Sequence, residues 1–298
     1  MPSLRWYRSA LRRSHESLAA EVTNKMTTVS ELDQTVTDYQ LSHVYWLVRA
    51  AKLAYSDEAE VRETTRRWGL DRCEFFHTKL DASFPIEDTQ AFVAGSDKMI
   101  IVAFRGTEPT NIKDWLSDVN ALGTPGPAGK GFVHDGFSRA LDSIYPQVKE
   151  AVQELRDNDQ TLWITGHSLG GALAMLASAR MHFEDPNLLP NGVYTFGQPR
   201  TCDRSLAAPY NEAFASRVFR FVNNNDVVAQ VPPEPAFHHV DDVRYFDSDG
   251  VLREKLSFTG GLTDGIKGLT SDPLAPGTDG VRDHFIDHYV ELVEKNLS

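Results

Sequence analysis

Thr161-Leu-Trp-Ile-Thr165, then Gly166-His167-Ser168-Leu169-Gly170-Gly171, then Ala172 to Arg180, reads as strand, tight turn and helix. The turn has the form G-x-S-x-G, the elbow that presents a nucleophilic serine between a strand and the helix after it. So sharp a turn puts the serine in a strained backbone conformation. Side chains two residues before and two after would collide there, and Gly166 and Gly170 supply none. Gly171, Ala172 and Ala174 let the start of the helix lie close to the strand. Ser168 then stands at a helix N-terminus, where unpaired N–H groups and the helix dipole favour a developing negative charge. A bare G-x-S-x-G arises often by chance, but chance does not supply a strand before it and a helix after it.

Working outward, the pattern alternates. Gln90–Ala94 and Met99–Phe104 are two short apolar runs separated by Gly95-Ser-Asp-Lys98, which predicts a hairpin. Residues 135–156 read as helix, 161–165 as strand, 168–183 as helix, 192–197 as strand, 203–215 as helix and 217–222 as strand. That succession implies a mostly parallel sheet with helices on both faces, an α/β fold. Asp242–Phe246 is expected as an edge strand, Leu41–Tyr55 as a strong helix, and 56–73 as charged helix or loop. Residues 257–280, rich in Gly, Pro, Thr and Asp, read as irregular, and a last helix is expected over 282–296. Residues 1–36 read as an N-terminal extension with a loosely amphipathic, arginine-bearing pattern, and 37–298 as one domain.

Composition limits what such a fold can act on. The 298 residues are 41% hydrophobic and 24% charged, ordinary for a globular protein with a sizeable core. A formal net charge of −12 argues against nucleic acid and against an anionic membrane surface as main partners. It does not oppose a neutral lipid or ester. Two cysteines, Cys73 and Cys202, make no disulfide framework and have no metal-ligand spacing; free buried thiols are expected. No run approaches bilayer-spanning length. Behind Arg5, Arg8, Arg12 and Arg13 the apolar run is only Leu18, Ala19 and Ala20, so no signal peptide is visible. The expectation is a cytoplasmic protein, or a secreted one whose signal is absent from this chain.

A serine hydroxyl is a poor nucleophile at neutral pH and needs a base beside it, usually a histidine whose tautomer a carboxylate fixes. On this kind of sheet the chain order is serine, acid, histidine. Asp226 follows the strand Phe219–Val222 and the turn Asn223–Asn225, at the strand end where such sheets build their sites. Asp203 reads instead as a helix cap, and Asp241, Asp242 and Asp247 as solvated charges. Downstream stand His238, His239, His284 and His288. Order and position favour His284, at the start of the last helix, with His288 one turn on as runner-up. His167, inside the elbow, is expected to point away from the nucleophile. Two backbone N–H groups should meet the developing oxyanion. Leu169 supplies one, and Thr107, at the end of the strand Met99–Phe104, the other.

At this point the chain resembles the class 3, fungal-type lipase family of α/β-hydrolases. The matching pieces are Phe104-Arg-Gly-Thr107, Asn111-Ile-Lys-Asp-Trp115 with Asp118, Val133-His-Asp-Gly-Phe137, Gly166-His-Ser-Leu-Gly-Gly-Ala172, Tyr194-Thr-Phe-Gly-Gln-Pro-Arg200, Phe221-Val-Asn-Asn-Asn-Asp226 and Asp283-His284. They fall in family order over roughly 95–290. The resemblance implies Ser168, Asp226 and His284 as a triad, Thr107 and Leu169 at an oxyanion hole, and hydrolysis of acylglycerols or other carboxylic esters without a cofactor. The family's histidine is commonly followed by a tyrosine, and Tyr289 serves either His284 or His288. Phospholipase A1 and feruloyl esterase activities belong to relatives of the same fold, and a non-catalytic binding module is the competing class. Ile112, Trp115, Leu116, Val119 and Leu122 form one apolar helical stripe, followed by a stretch rich in Gly and Pro. From pattern alone this is a surface helix packed on the core; the resemblance makes it a mobile lid that turns outward on lipid.

Overall fold

A computed structural model describes residues 38–79, 88–107, 122–157, 159–253 and 278–297. The chain divides into two units, Met1–Asp33 and Gln34–Ser298, and the described residues all belong to the second. The expected extension, the lid stripe up to Val119 and most of the stretch 257–280 lie outside the described residues.

In chain order the elements are α1 (Leu41–Leu53), α2 (Glu58–Arg67), β1 (Arg72–Lys79), β2 (Asp88–Gly95), β3 (Met99–Phe104), β4 (Gly123–Pro125), β5 (Phe132–His134), α3 (Asp135–Asp142), α4 (Tyr145–Leu155), β6 (Thr161–His167), α5 (Leu169–Glu184), β7 (Gly192–Phe196), α6 (Arg204–Ala213), β8 (Val218–Asn223), β9 (Val243–Phe246), β10 (Leu252–Arg253), α7 (Thr278–Asp283) and α8 (Ile286–Leu297). One sheet runs β1-β2-β3-β6-β7-β8-β9-β10. Strands β3, β6, β7, β8 and β9 are parallel. The antiparallel β1 and β2 extend one edge and β10 closes the other.

The parallel strands β3, β6, β7 and β8 are buried along nearly their whole length, as strands covered on both faces must be. Alternation along β6 assigns the faces. Leu162 and Ile164 join an aliphatic core with Val102, Leu173, Leu176 and Val148, under α3, α4 and α5. Trp163 and Thr165 face the other way. Trp163 meets the His43 ring edge-on at 4.7 Å, and Thr165 Oγ1 donates to the Leu47 carbonyl of α1 at 3.1 Å. That second face is aromatic: Tyr194 packs on Phe219, and Phe196 stacks on Phe221 at 5.1 Å. Helix α5 is apolar nearly all round, the composition of a helix inside a core. The fold is the mostly parallel α/β-hydrolase arrangement, with helices on both faces.

Four local expectations are corrected. Strand β1 replaces expected helix or loop from Arg72 on; its consecutive Phe75 and Phe76 among charges hide the two-residue period, as suits a part-exposed edge. The helix over 135–156 is two, broken at Ser143 and Ile144, with Pro146 fitting the first turn of α4. Strand β9 is not the edge, because β10 pairs outside it. The last helix does not open on His284. Near it the bonds run Phe285 N to Arg282 O and His288 N to Phe285 O, three-residue steps that interrupt the α-ladder and leave His284 at a joint between α7 and α8.

Candidate active site

Ser168 has φ 59° and ψ −130°, a conformation rare for a residue with a side chain and costing on the order of 1–3 kcal/mol. The surroundings enforce it. Its N–H donates to the Phe196 carbonyl at 2.9 Å, and its carbonyl accepts from Gly171 N–H at 2.9 Å as α5 begins. A Cβ at Gly166 would run into the Gly170 carbonyl, and one at Gly170 into the Phe104 carbonyl, so both glycines are required by space alone.

Asp226 is buried at the end of β8. Its carboxylate faces His284 Nδ1, with both oxygens at 2.9 Å, and accepts from the Tyr289 hydroxyl at 2.6 Å and the Val228 N–H at 2.9 Å. Burial pushes this carboxyl up. The His284 imidazole, its hydrogen bond and the Tyr289 hydroxyl outweigh that and hold it below the usual carboxylate range. The same environment, burial first and the Asp226 charge second, keeps Tyr289 protonated far above the usual phenol range, so its O–H is always there to donate. A carboxylate accepts only, which assigns the His284 proton to Nδ1 and leaves Nε2 with a lone pair.

The joint carrying His284 is held from several sides. Asn223 Nδ2 donates to the Asp283 carbonyl at 2.9 Å, and Asn224 Nδ2 and Asn225 N–H donate to the Asp283 carboxylate at 3.2 and 3.3 Å. Asn223 N–H also donates to Tyr289 Oη at 3.0 Å. Gly197 sits at φ +57°, and a Cβ there would lie 2.6 Å from Asp226 Oδ2 and 2.8 Å from His284 Nδ1. His167 packs its ring on that of His284, with centroids 4.5 Å apart. The residue before Ser168 and the residue after its backbone partner Phe196 therefore both touch His284.

The loop after β3 closes the remaining side. A Cβ at Gly106 would lie 3.0 Å from Ser168 Cβ, and Thr107 follows it, while Leu169 is the first residue of α5. Three buried polar atoms here have no hydrogen-bond partner among the described residues: Ser168 Oγ, His284 Nε2 and Thr107 Oγ1. Such atoms are costly to leave unsatisfied, and a site that must bond a visiting group is where the cost is tolerated. The Thr107 hydroxyl adds a donor to the N–H for which the sequence nominates this residue.

A cleft of about 890 Å³ opens between α1, α2 and α8. Tyr55, His167, Phe285 and His288 line it; Ser168, Thr107 and His284 do not, so it adjoins the site from behind. His288 is half-exposed there, 3.6 Å from Glu291. The fold joins His284, not His288, to Asp226.

Comparisons with known proteins place this arrangement. The family model for lipase (class 3) matches residues 101–236. A lipase of Rhizomucor miehei is 34% identical over 158 residues, covering 50% of this chain and 42% of that protein. Triacylglycerol lipase OBL1 of Arabidopsis thaliana is 29% identical over 235 residues, covering 62% and 45%. The solved Rhizomucor miehei triacylglyceride lipase superposes with a TM-score of 0.61 at 22% identity, covering 85% of this chain and 96% of that one. Residues 101–236 resemble the class 3 lipase family, and the likeness to the solved lipase extends the shared fold over most of the chain. The chain spans less than half the length of the two curated relatives.

Within the class 3 lipase segment lie Thr107, Ser168, Leu169 and Asp226; His284 and Tyr289 lie beyond it and are brought in by the fold. Ile112, Trp115, Leu116 and Val119 lie outside the described residues, and Leu122, at the end of that stripe, is exposed. Asp203 caps α6, accepting from Leu206 N–H at 3.0 Å. Cys202 is buried, whereas Cys73 is only partly so, and both are free. Sequence reasoning left Gly197, Tyr55 and the clamp role of Asn223–Asn225 unassigned, and set His167 aside. The available signal was the run of three asparagines before Asp226, which makes more polar groups than a turn consumes. No helix among the described residues is long and apolar enough to cross a membrane.

Proposed function

We propose that residues 37–298 form one catalytic domain that hydrolyses carboxylic esters, with acylglycerols as its substrate class and a lipid–water interface as its place of work. Ser168 Oγ attacks the ester carbonyl while His284 Nε2 takes its proton, and the carbonyl π electrons move to oxygen. The Leu169 and Thr107 N–H groups receive that oxyanion at the positive end of α5. On collapse the C–O bond to the alcohol breaks, and His284 returns the proton to the departing oxygen. Water then attacks the acyl-Ser168 ester, gives a proton to His284, and the acid leaves as Ser168 regains its hydrogen. Asp226 holds the imidazole in the required tautomer throughout.

The observation that carries this reading is the pairing of a fully engaged Asp226–His284 Nδ1 contact with an unpartnered His284 Nε2 and an unpartnered Ser168 Oγ. The names of the relatives support the acyl-ester class. A panel of p-nitrophenyl esters of rising chain length, run beside emulsified triacylglycerol, tests it. Hydrolysis that disappears in Ser168→Ala is the expected result; a folded wild-type protein with no esterase activity on the panel, or activity that survives the substitution, rules the reading out.

A further inference from the structure

His284 stands at a joint between two helices, so neither helix alone fixes its backbone. Its carbonyl oxygen accepts a hydrogen bond from His167 Nε2 at 2.6 Å, buried from solvent. A carbonyl only accepts, so Nε2 of His167 carries the proton and Nδ1 must be the acceptor of its other bond. That bond comes from the Tyr55 hydroxyl at 2.8 Å. Tyr55 Oη in turn occupies the space where a Cβ at Gly106 would fall, on the loop leading to Thr107. One chain of contacts therefore runs from the oxyanion loop, through the residue next to the nucleophile, to the main chain of the base.

From this we infer that His167 and Tyr55 are positioning residues, fixing where His284 Nε2 stands relative to Ser168 Oγ. The inference rests on Ser168 as nucleophile and His284 as base. His167 is suited to a fixed bond and not to proton traffic. Burial, and secondarily the neighbouring His284, push it down to about 3, so it stays neutral with one donor and one acceptor at working pH. Its ring packs on the His284 ring, with centroids 4.5 Å apart and the planes tilted by 31°, so the two imidazoles are in direct contact. Displacing a catalytic group by about 1 Å costs on the order of 10²-fold in rate, so a bond on the base's own carbonyl is well placed to matter.

The test compares His167→Leu, which lacks a donor, with His167→Gln, whose amide N–H falls near the Nε2 position, on a soluble short-chain p-nitrophenyl ester. His167→Leu is expected to lose on the order of 10²-fold in kcat with KM little changed, and His167→Gln to recover most of it. The low-field proton signal of His284 Nδ1–H should broaden or shift in His167→Leu and return in His167→Gln. Tyr55→Phe should lower kcat a few-fold in the same direction, and it decides if His167→Leu does not fold. The inference is overturned if folded His167→Leu keeps kcat within about two-fold, if His167→Gln is equally impaired, or if Tyr55→Phe leaves kcat unchanged. Wild-type activity that survives Ser168→Ala removes instead the reading beneath it, so the two failures are distinguishable.

Discussion

Around Asp226 the carboxylate accepts from His284, Tyr289 and Val228 N–H, while on the other side of the site Ser168 Oγ and Thr107 Oγ1 have no hydrogen-bond partner among the described residues. The half that the proposed mechanism uses for acid–base work is built from side-chain hydrogen bonds between distant segments. The nucleophile half is built from backbone shape: a positive φ at Ser168, two glycines with no room for a Cβ, and a helix start. In the first half every polar atom of the Asp226–His284 contact is engaged, and only His284 Nε2, which faces away from Asp226, is left open. The second is left with polar atoms to satisfy, and under the proposed function an ester's carbonyl group is what would meet them. Substitutions should therefore fail differently on the two sides.

On the nucleophile side, Ser168→Ala removes the reacting atom and leaves the backbone geometry, which alanine and serine tolerate alike. Loss of turnover on the order of 10⁶-fold at unchanged thermal stability is expected in ester assays and calorimetry. On the acid–base side, Asp226→Asn keeps the shape but turns a donor toward Nδ1 and favours the wrong tautomer; kcat should fall by roughly 10⁴-fold. Tyr289→Phe removes one donor from Asp226 and the acceptor of Asn223 N–H. About a ten-fold loss in kcat is expected, with a measurable fall in stability, since a hydrogen bond to a charged group contributes roughly 1.5–3 kcal/mol. Equal stability of Tyr289→Phe and wild type in urea titrations would mean that this half is less tightly knit than its bonds imply.

The smallest effect concerns pH. His167 and His239 are buried with affinities for the proton well below that of free histidine. Each binds fewer protons folded than unfolded, so each contributes stability that is present above about pH 6.5 and is lost as pH falls toward the folded value. Asp226 acts in the same direction only lower, below the ordinary carboxylate range. Wild type should lose stability between about pH 6.5 and 4.5, and His167→Gln should lose less over that window. Parallel curves for the two proteins would show that His167 is not buried as described.

How much could be read from the chain divides along the same line. The elbow was legible because its causes are local: a strand, two glycines and a helix within twenty residues state their own geometry. The α/β class was legible from alternation for the same reason. Asp226 and His284 were reached through chain order and strand-end position, which name the pair that the fold brings to 2.9 Å. The rest depends on contacts without local signature. Tyr55 and His167 are 112 residues apart, and His167 and the His284 carbonyl 117, so nothing near either residue announces the bond. His167 was set aside because pointing away from the serine looked like having no role. In fact the direction it takes leads to the His284 carbonyl. The three-residue steps around His284 were hidden because the local pattern of 282–296 is helical, and only the tertiary clamp by Asn223, Asn224 and Asn225 fixes the joint.

The central claim is that Ser168 is a nucleophile activated through His284 and Asp226. Reacting the intact protein with a fluorophosphonate and locating the adduct by peptide mass spectrometry addresses it directly. Stoichiometric modification of Ser168 is expected in wild type at neutral pH, slowed in Asp226→Asn by several orders of magnitude, on the order of 10⁴. An adduct on a different serine, or Asp226→Asn reacting at the wild-type rate, would contradict it.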